Sequence, residues 1–241
     1  MIGGLIQRYL QGMHATRILD VGPGYADFSR IAASVTGARE ITFLDVDKDV
    51  LDWQMAETRR VGLEADALPI MLDKEALSAV HGTYDIIHCQ EVLEHLPNAP
   101  EVLSGVAALL NPGGRMIITV PTKRSERWLK MINPSYMKDE PYGHVNEFDE
   151  QSLRDLVRGA GLEIQTLIPT QPHYFLAHTW LFGTRMKVDG STGRILTGGV
   201  RGFVLSNITS WSKRLFLATN ARWWGRIFPR NYFVVASKPT P

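Results

Sequence analysis

The chain has a single cysteine, Cys89, in 241 residues, so it can form no internal disulfide and suits a reducing compartment. No apolar run reaches the roughly 18 residues that a membrane-spanning helix needs. The opening Met1-Ile2-Gly3-Gly4-Leu5-Ile6-Gln7-Arg8 lacks the basic-then-apolar pattern of a secretory leader. Together these absences predict a cytoplasmic protein. Acid is missing from the whole stretch after Asp189, where all 25 Asp and Glu have already been spent. The segment from Gly190 onward therefore carries a formal charge of +8, against −7 for the part before it. An acid-free block of this length suggests an anionic partner or surface. Internal repeats and low-complexity tracts are also absent.

What is present is ordinary globular composition, 44% hydrophobic and 21% charged, in a length that supports one domain over residues 1–241. Apolar runs alternate with amphipathic ones. Strands are expected at Arg17–Val21, Ile41–Val46, Val61–Ala65, Tyr84–Cys89, Arg115–Val120, Leu162–Ile168 and Asn231–Ser237. Helices are expected at Ile2–Gln11, Ala26–Ala33, Glu75–Val80, Pro100–Leu110 and Glu150–Ala160. This alternation predicts an α/β fold with a mostly parallel sheet covered on both faces. Two stretches break it, 122–148 and 170–230, the second holding Trp180, Trp211, Trp223 and Trp224.

The first strand runs into Gly22-Pro23-Gly24, and the second ends in Asp45. A glycine turn after a strand lets backbone approach a ligand closely, and a carboxylate at the neighbouring strand tip can accept from both hydroxyls of a ribose. The third glycine of a dinucleotide turn is lacking: that position is Asp27. A carboxylate there would repel a pyrophosphate at the helix N-terminus, which disfavours NAD.

The ordered set ILDVGPG (18–24), FLDVD (43–47), EADALP (64–69), YDIIHCQEVLEHL (84–96) and LLNPGGRMIITVP (109–121) resembles the class I S-adenosylmethionine-dependent methyltransferases. It is most similar to the branch containing the ubiquinone-biosynthesis O-methyltransferases. The resemblance covers about residues 15–169 and the final strand, 231–238. It implies a Rossmann-like, doubly wound, seven-stranded sheet whose last strand is antiparallel, with a helical insertion before that strand. It further implies that Asp20 and the Gly22-Pro23-Gly24 turn hold the methionine end of S-adenosylmethionine. Asp45 would bind its ribose, and Val46 would pack on the adenine. Asp66 would accept from the adenine amino group, Ala67 would meet the ring edge, and Gln90 would lie near the sulfonium.

Transfer to a hydroxyl requires alignment, exclusion of water and removal of a proton. In Glu91-Val92-Leu93-Glu94-His95, positions i, i+3 and i+4 share a face if the stretch is helical. Two carboxylates and an imidazole there could hold a divalent cation, with His144 as a fourth ligand. In the ubiquinone-pathway and small-RNA 2′-O-methyltransferases, which this arrangement resembles, such a run binds Mg²⁺. Without a metal, His144 or His95 is the candidate general base. His88 and Cys89 read as core. Trp128, Tyr136 and Tyr142 belong to an acceptor lid at 122–148 and could equally be packing.

The expected activity is O-methylation of a small or lipid-linked acceptor such as a quinone, glycan or secondary metabolite. The alternatives are RNA 2′-O-methylation, for which no recognisable RNA-binding module is present, and non-catalytic adenosylmethionine binding. For 170–230 three readings stand. It could be a helical cover built around Phe203–Leu217, a basic aromatic face (190–230) that docks on anionic membrane, or a homodimer interface.

Overall fold

In the computed structural model, residues 2–132, 134, 143–170 and 229–240 are described. β1 (Arg17–Val21), β2 (Glu40–Asp45), β4 (Tyr84–Gln90), β5 (Leu110–Pro121) and β7 (Asn231–Ser237) bury residues in unbroken runs. Unbroken burial is what strands covered on both faces require. The order is β3-β2-β1-β4-β5-β7-β6, with β3 at Glu64–Pro69 and β6 at Glu163–Thr170. The first five strands are parallel, and β7 runs antiparallel between β5 and β6. This is the seven-stranded sheet that the motif resemblance implied.

Alternate strand residues feed two separate cores. Leu19, Ile87, Ile118 and Val234 face α5 (Ala99–Ala108) and α7 (Glu150–Gly159). Ile18, Phe43, Ile86 and Phe233 face α1 (Ile2–Leu10), α2 (Phe28–Thr36) and α3 (Lys48–Arg60). Among the described residues no helix is long and apolar enough to cross a membrane.

Element boundaries moved where caps outweigh propensity. α3 runs on to Arg60 and closes with Gly62 at φ 80°, so Val61 caps a helix and β3 begins at Glu64. The helix expected at Glu75–Val80 is a single turn, α4 (Lys74–Leu77), started by the Asp73 carboxylate accepting from the Ala76 N–H at 2.6 Å. It continues as i→i+3 turns through Val80. α5 ends at Ala108, before Asn111–Gly114, which lies inside β5 as an irregularity between the paired residues Leu110 and Arg115. α6 (Lys123–Ile132) was not expected; two of the three residues it buries, Ser125 and Glu126, are polar, with Leu129 the third. Tyr136, Tyr142, the helical cover expected around Phe203–Leu217, and nearly all of the 170–230 insertion, on which a membrane-docking face or a homodimer interface was expected, lie outside the described residues.

Candidate functional site

The carboxyl edge of the sheet gathers the site, as open α/β sheets do. β1 is followed by Gly22, whose N–H donates to the Leu44 carbonyl at 2.8 Å and whose φ is 62°. A Cβ here would run into the Val92 side chain, so glycine is required by both backbone and space. Gln54, fully buried on α3, holds the turn from behind by donating through Nε2 to the carbonyls of Gly24 (2.7 Å) and Ala26 (2.8 Å). Arg30 in turn donates to Gln54 Oε1 at 2.5 Å.

A cavity of about 330 Å³ opens between this turn and the ends of β4, β5 and β7, lined by Asp20, Gly22–Ala26, Gln90, Glu91, Thr119 and Asn231, with Ile2 and Phe28 as its apolar side. The expected cofactor residues Asp20, Gly22, Pro23, Gly24 and Gln90 thus share one cavity. Asp45 and Val46 lie further along the same edge, at the end of β2, whereas Asp66 and Ala67 stand within β3, opposite Thr42 and Phe43. Asp45 Oδ1 accepts from the Asp47 N–H at 3.0 Å, and Asp66 Oδ1 from the Ala67 N–H at 2.9 Å. Val46 is exposed. Asp27 departs from expectation. α2 starts one residue after it, and its side chain lines a different groove with Arg30, Trp53 and Arg60. The acids that do face the cavity are Asp20 and Glu91.

Asp20 is buried and accepts from the Ser29 hydroxyl. Burial pushes its carboxyl up from 3.8 to about 7, against the opposing pull of the Ser29 bond and the Arg30 charge. A pKa above the unfolded value means that the folded chain holds a proton that the unfolded chain lacks. The stability Asp20 contributes is therefore full below about pH 3.8 and lost as pH rises to about 7. A cationic ligand beside Asp20 favours its ionised form, so binding at about pH 7, where the free carboxyl is about half protonated, should release up to about half a proton. Calorimetry in buffers of differing ionisation heat reads this directly. Asp20→Asn should abolish the buffer dependence, and a dependence that survives in Asp20→Asn would assign the proton elsewhere.

Beyond the cavity, Glu94, His95 and His144 offer one donor atom each, all within 4.8 Å of one another. Glu94 is 1% exposed, and its Oε2 has no hydrogen-bond partner. Burial drives its carboxyl well above the usual range, with Glu91 and Glu126 adding to the rise and Arg230 opposing it. The His95 and His144 rings meet edge to face, 4.8 Å between centroids. Segment 143–148 is stapled here by Val145 and Asn146 N–H groups donating to the Glu94 carbonyl at 2.8 and 3.0 Å. The Asn146 amide also donates to the carbonyls of Leu93 and Leu96 at 2.9 and 2.6 Å.

Glu91 does not join this cluster. Only Leu93–His95 forms a turn, a 3₁₀ one, and Glu91 precedes it in the left-handed region at φ 57°. Its carboxylate points instead to Thr119 and Asn231. His88 and Cys89 are buried in β4, as expected of core residues; burial lowers His88 to about 3 and raises the Cys89 thiol. Trp128 sits half-exposed on α6.

Sequence reasoning missed Glu126. Its Oε2 lies 2.7 Å from His144 Nδ1, and its Oε1 accepts from Arg230 Nη1 at 3.2 Å, all three side chains being buried. Nothing local marks a Glu inside a basic helix as a histidine's partner. Gln54 and Asn231 were missed for the same reason.

Residues 3–167 match a family described as a methyltransferase domain. The ubiquinone biosynthesis O-methyltransferase of Aeromonas salmonicida is 32% identical over 184 residues, 74% of this chain and 75% of that one. The enzyme of the same description from Proteus mirabilis is 28% identical over 127 residues, about half of each chain. Among solved structures, a SAM-dependent methyltransferase from Archaeoglobus fulgidus superposes with TM-score 0.56 at 17% identity, covering 98% of this chain and 93% of that one. The cyclase SpnF reaches 0.62 at 18% identity, covering 100% and 81%. These structural likenesses carry the fold and no chemistry. With the glycine turn and the Asp20 cavity assembled at one sheet edge, the chain belongs to the methyltransferase-domain family and is an S-adenosylmethionine-dependent methyltransferase.

Proposed function

We propose that the chain methylates a hydroxyl oxygen on a small or lipid-linked acceptor. The observation that supports it best is the buried Glu126–His144 pair, tied by Arg230 to the chain just before the cavity residue Asn231, because oxygen is the acceptor atom that most needs a proton removed. The ubiquinone-pathway relative agrees with that choice of atom.

The residues present fit the donor. The turn leaves open space at Gly24, and Gln90 Oε1 and Asn231 Oδ1 are buried acceptors without partners on the same cavity. Asp20 and Gly22-Pro23-Gly24 would hold its methionine end, Asp45 its ribose hydroxyls, and Val46, Asp66 and Ala67 its adenine. Bound there, S-adenosylmethionine supplies an electrophilic methyl on a good leaving group. With Nδ1 donating to Glu126, His144 carries its lone pair on Nε2 and takes the acceptor's proton there, while Glu126 stabilises the imidazolium that results.

The Glu94–His95–His144 trio also suits a small cation, which would polarise the acceptor oxygen and lower its pKa. Two imidazoles and one carboxylate fit Zn²⁺ or Mn²⁺ better than Mg²⁺, which prefers oxygen in near-octahedral array. With Glu91 turned away, the four-ligand Mg²⁺ set expected from the motif is not assembled.

Incubation with S-adenosylmethionine and a panel of phenols, quinols and glycosides, read by mass spectrometry, should place one methyl on oxygen. Transfer to nitrogen or carbon, or to nothing in the panel, would contradict the proposal. Chelation separates the two uses of His144. Loss of turnover in EDTA, restored by Mn²⁺ or Zn²⁺, assigns its lone pair to a metal; full turnover in EDTA assigns it to the proton.

A further inference from the structure

Among the described residues Glu91 is the non-glycine position with a left-handed backbone, φ 57°. Such strain persists where surrounding structure imposes it, and it gathers at functional sites. Here it swings the carboxylate over the β4–β5 edge. Oε1 then accepts from the Thr119 hydroxyl at 2.8 Å and from Asn231 Nδ2 at 2.6 Å.

An ionised carboxylate only accepts, so the nitrogen of the Asn231 amide must face Glu91 and its oxygen must face away. That oxygen is buried and has no partner, in a residue only 4% exposed. β4 repeats the arrangement. Gln90 Nε2 lies 3.2 Å from Nδ1 of His88, a neutral imidazole in the apolar core, and Gln90 Oε1 is likewise buried and unpartnered. Buried acceptors without partners are few in folded proteins, and each calls for a cause. Two of them line one cavity, that of Asn231 turned there by Glu91, together with the carboxyl groups of Asp20 and Glu91. No lysine or arginine is among the described residues lining that cavity. A wall of oxygen acceptors without a protein cation suits a ligand that brings one.

We propose that Asn231, its amide oriented by Glu91, acts with Gln90 to receive a cationic group of the methyl donor. This rests on the donor occupying the cavity. The donor has two cations, the α-ammonium of its methionine part and the sulfonium, and three probes separate them. S-adenosylmethionine carries both, S-adenosylhomocysteine only the ammonium, and methylthioadenosine neither.

Calorimetric titration of the unaltered chain and of Asn231→Leu with these three compounds tests the assignment. Asn231→Ser serves if leucine prevents folding, as judged by thermal melting. A charge-assisted hydrogen bond lost to a cation corresponds to roughly tenfold or more in Kd. Weakening of adenosylmethionine and adenosylhomocysteine alike, with methylthioadenosine unchanged, supports the assignment to the ammonium. Weakening of adenosylmethionine alone supports it for the sulfonium. Equal weakening of all three, or less than about a twofold change for adenosylmethionine, overturns it. If the unaltered chain takes up none of the three, what fails is instead the placement of the donor in this cavity.

Discussion

His144→Ala is expected to lower kcat by about 10²–10⁴-fold, the usual contribution of a positioned acid–base group, while leaving the Kd for S-adenosylhomocysteine nearly unchanged. The split follows from geometry. His144 lies with Glu94 and His95 beyond the donor cavity and is not among the residues that line it. Its ring is fixed by Glu126, and Glu126 is fixed by Arg230, immediately before β7. The same loss is expected whether its lone pair takes a proton or holds a cation, so the variant tests the site and chelation tests the role. A variant with normal kcat would move the chemistry elsewhere. Equal loss of kcat and of cofactor affinity would mean that His144 supports the fold of the cleft. Stopped assays with the acceptor that the panel identifies, paired with calorimetry, distinguish these results.

Asp45→Ala should weaken adenosylmethionine binding by one to two orders of magnitude, from charge-assisted hydrogen bonds of about 1.5–3 kcal/mol. Asp45 ends β2 beside the glycine turn. Burial raises its pKa, and backbone N–H groups of Asp47, Val46 and Gly24 partly restore it. Its Oδ1 is engaged by the Asp47 N–H, and Asp47 itself caps α3 by accepting from Asp49 and Val50. The carboxylate is thus held by the start of a helix, which limits the entropy lost when a ribose docks. The Asp47 carboxylate still accepts from Asp49 and Val50 without the Asp45 side chain, so the variant should fold. Unchanged affinity by calorimetry would remove Asp45 from the ribose.

Most of this architecture was legible because burial on both faces leaves a plain mark. β1, β2, β4, β5 and β7 read as apolar runs, and the turn at Gly22 follows directly from one of them. Helix ends were less legible, since caps such as Asp73 and Gly62 decide them within a residue or two. The shift of α2 to begin at Phe28 was enough to turn Asp27 out of the cleft. Spacing within Glu91–His95 also misled, because one left-handed residue separates Glu91 from the face that Glu94 and His95 share. Contacts made across the fold left no local trace. Asn231 meets Glu91 across 140 positions, and Arg230 meets Glu126 across 104.

The account depends on a cleft built for a ribose-bearing cation, with the carboxyl groups of Asp20 and Glu91 facing any phosphate that entered. Titrating the unaltered chain with S-adenosylhomocysteine and, separately, with NAD tests it most directly. Saturable one-to-one uptake of S-adenosylhomocysteine with no heat from NAD is the expected result; uptake of NAD with none of S-adenosylhomocysteine would contradict it.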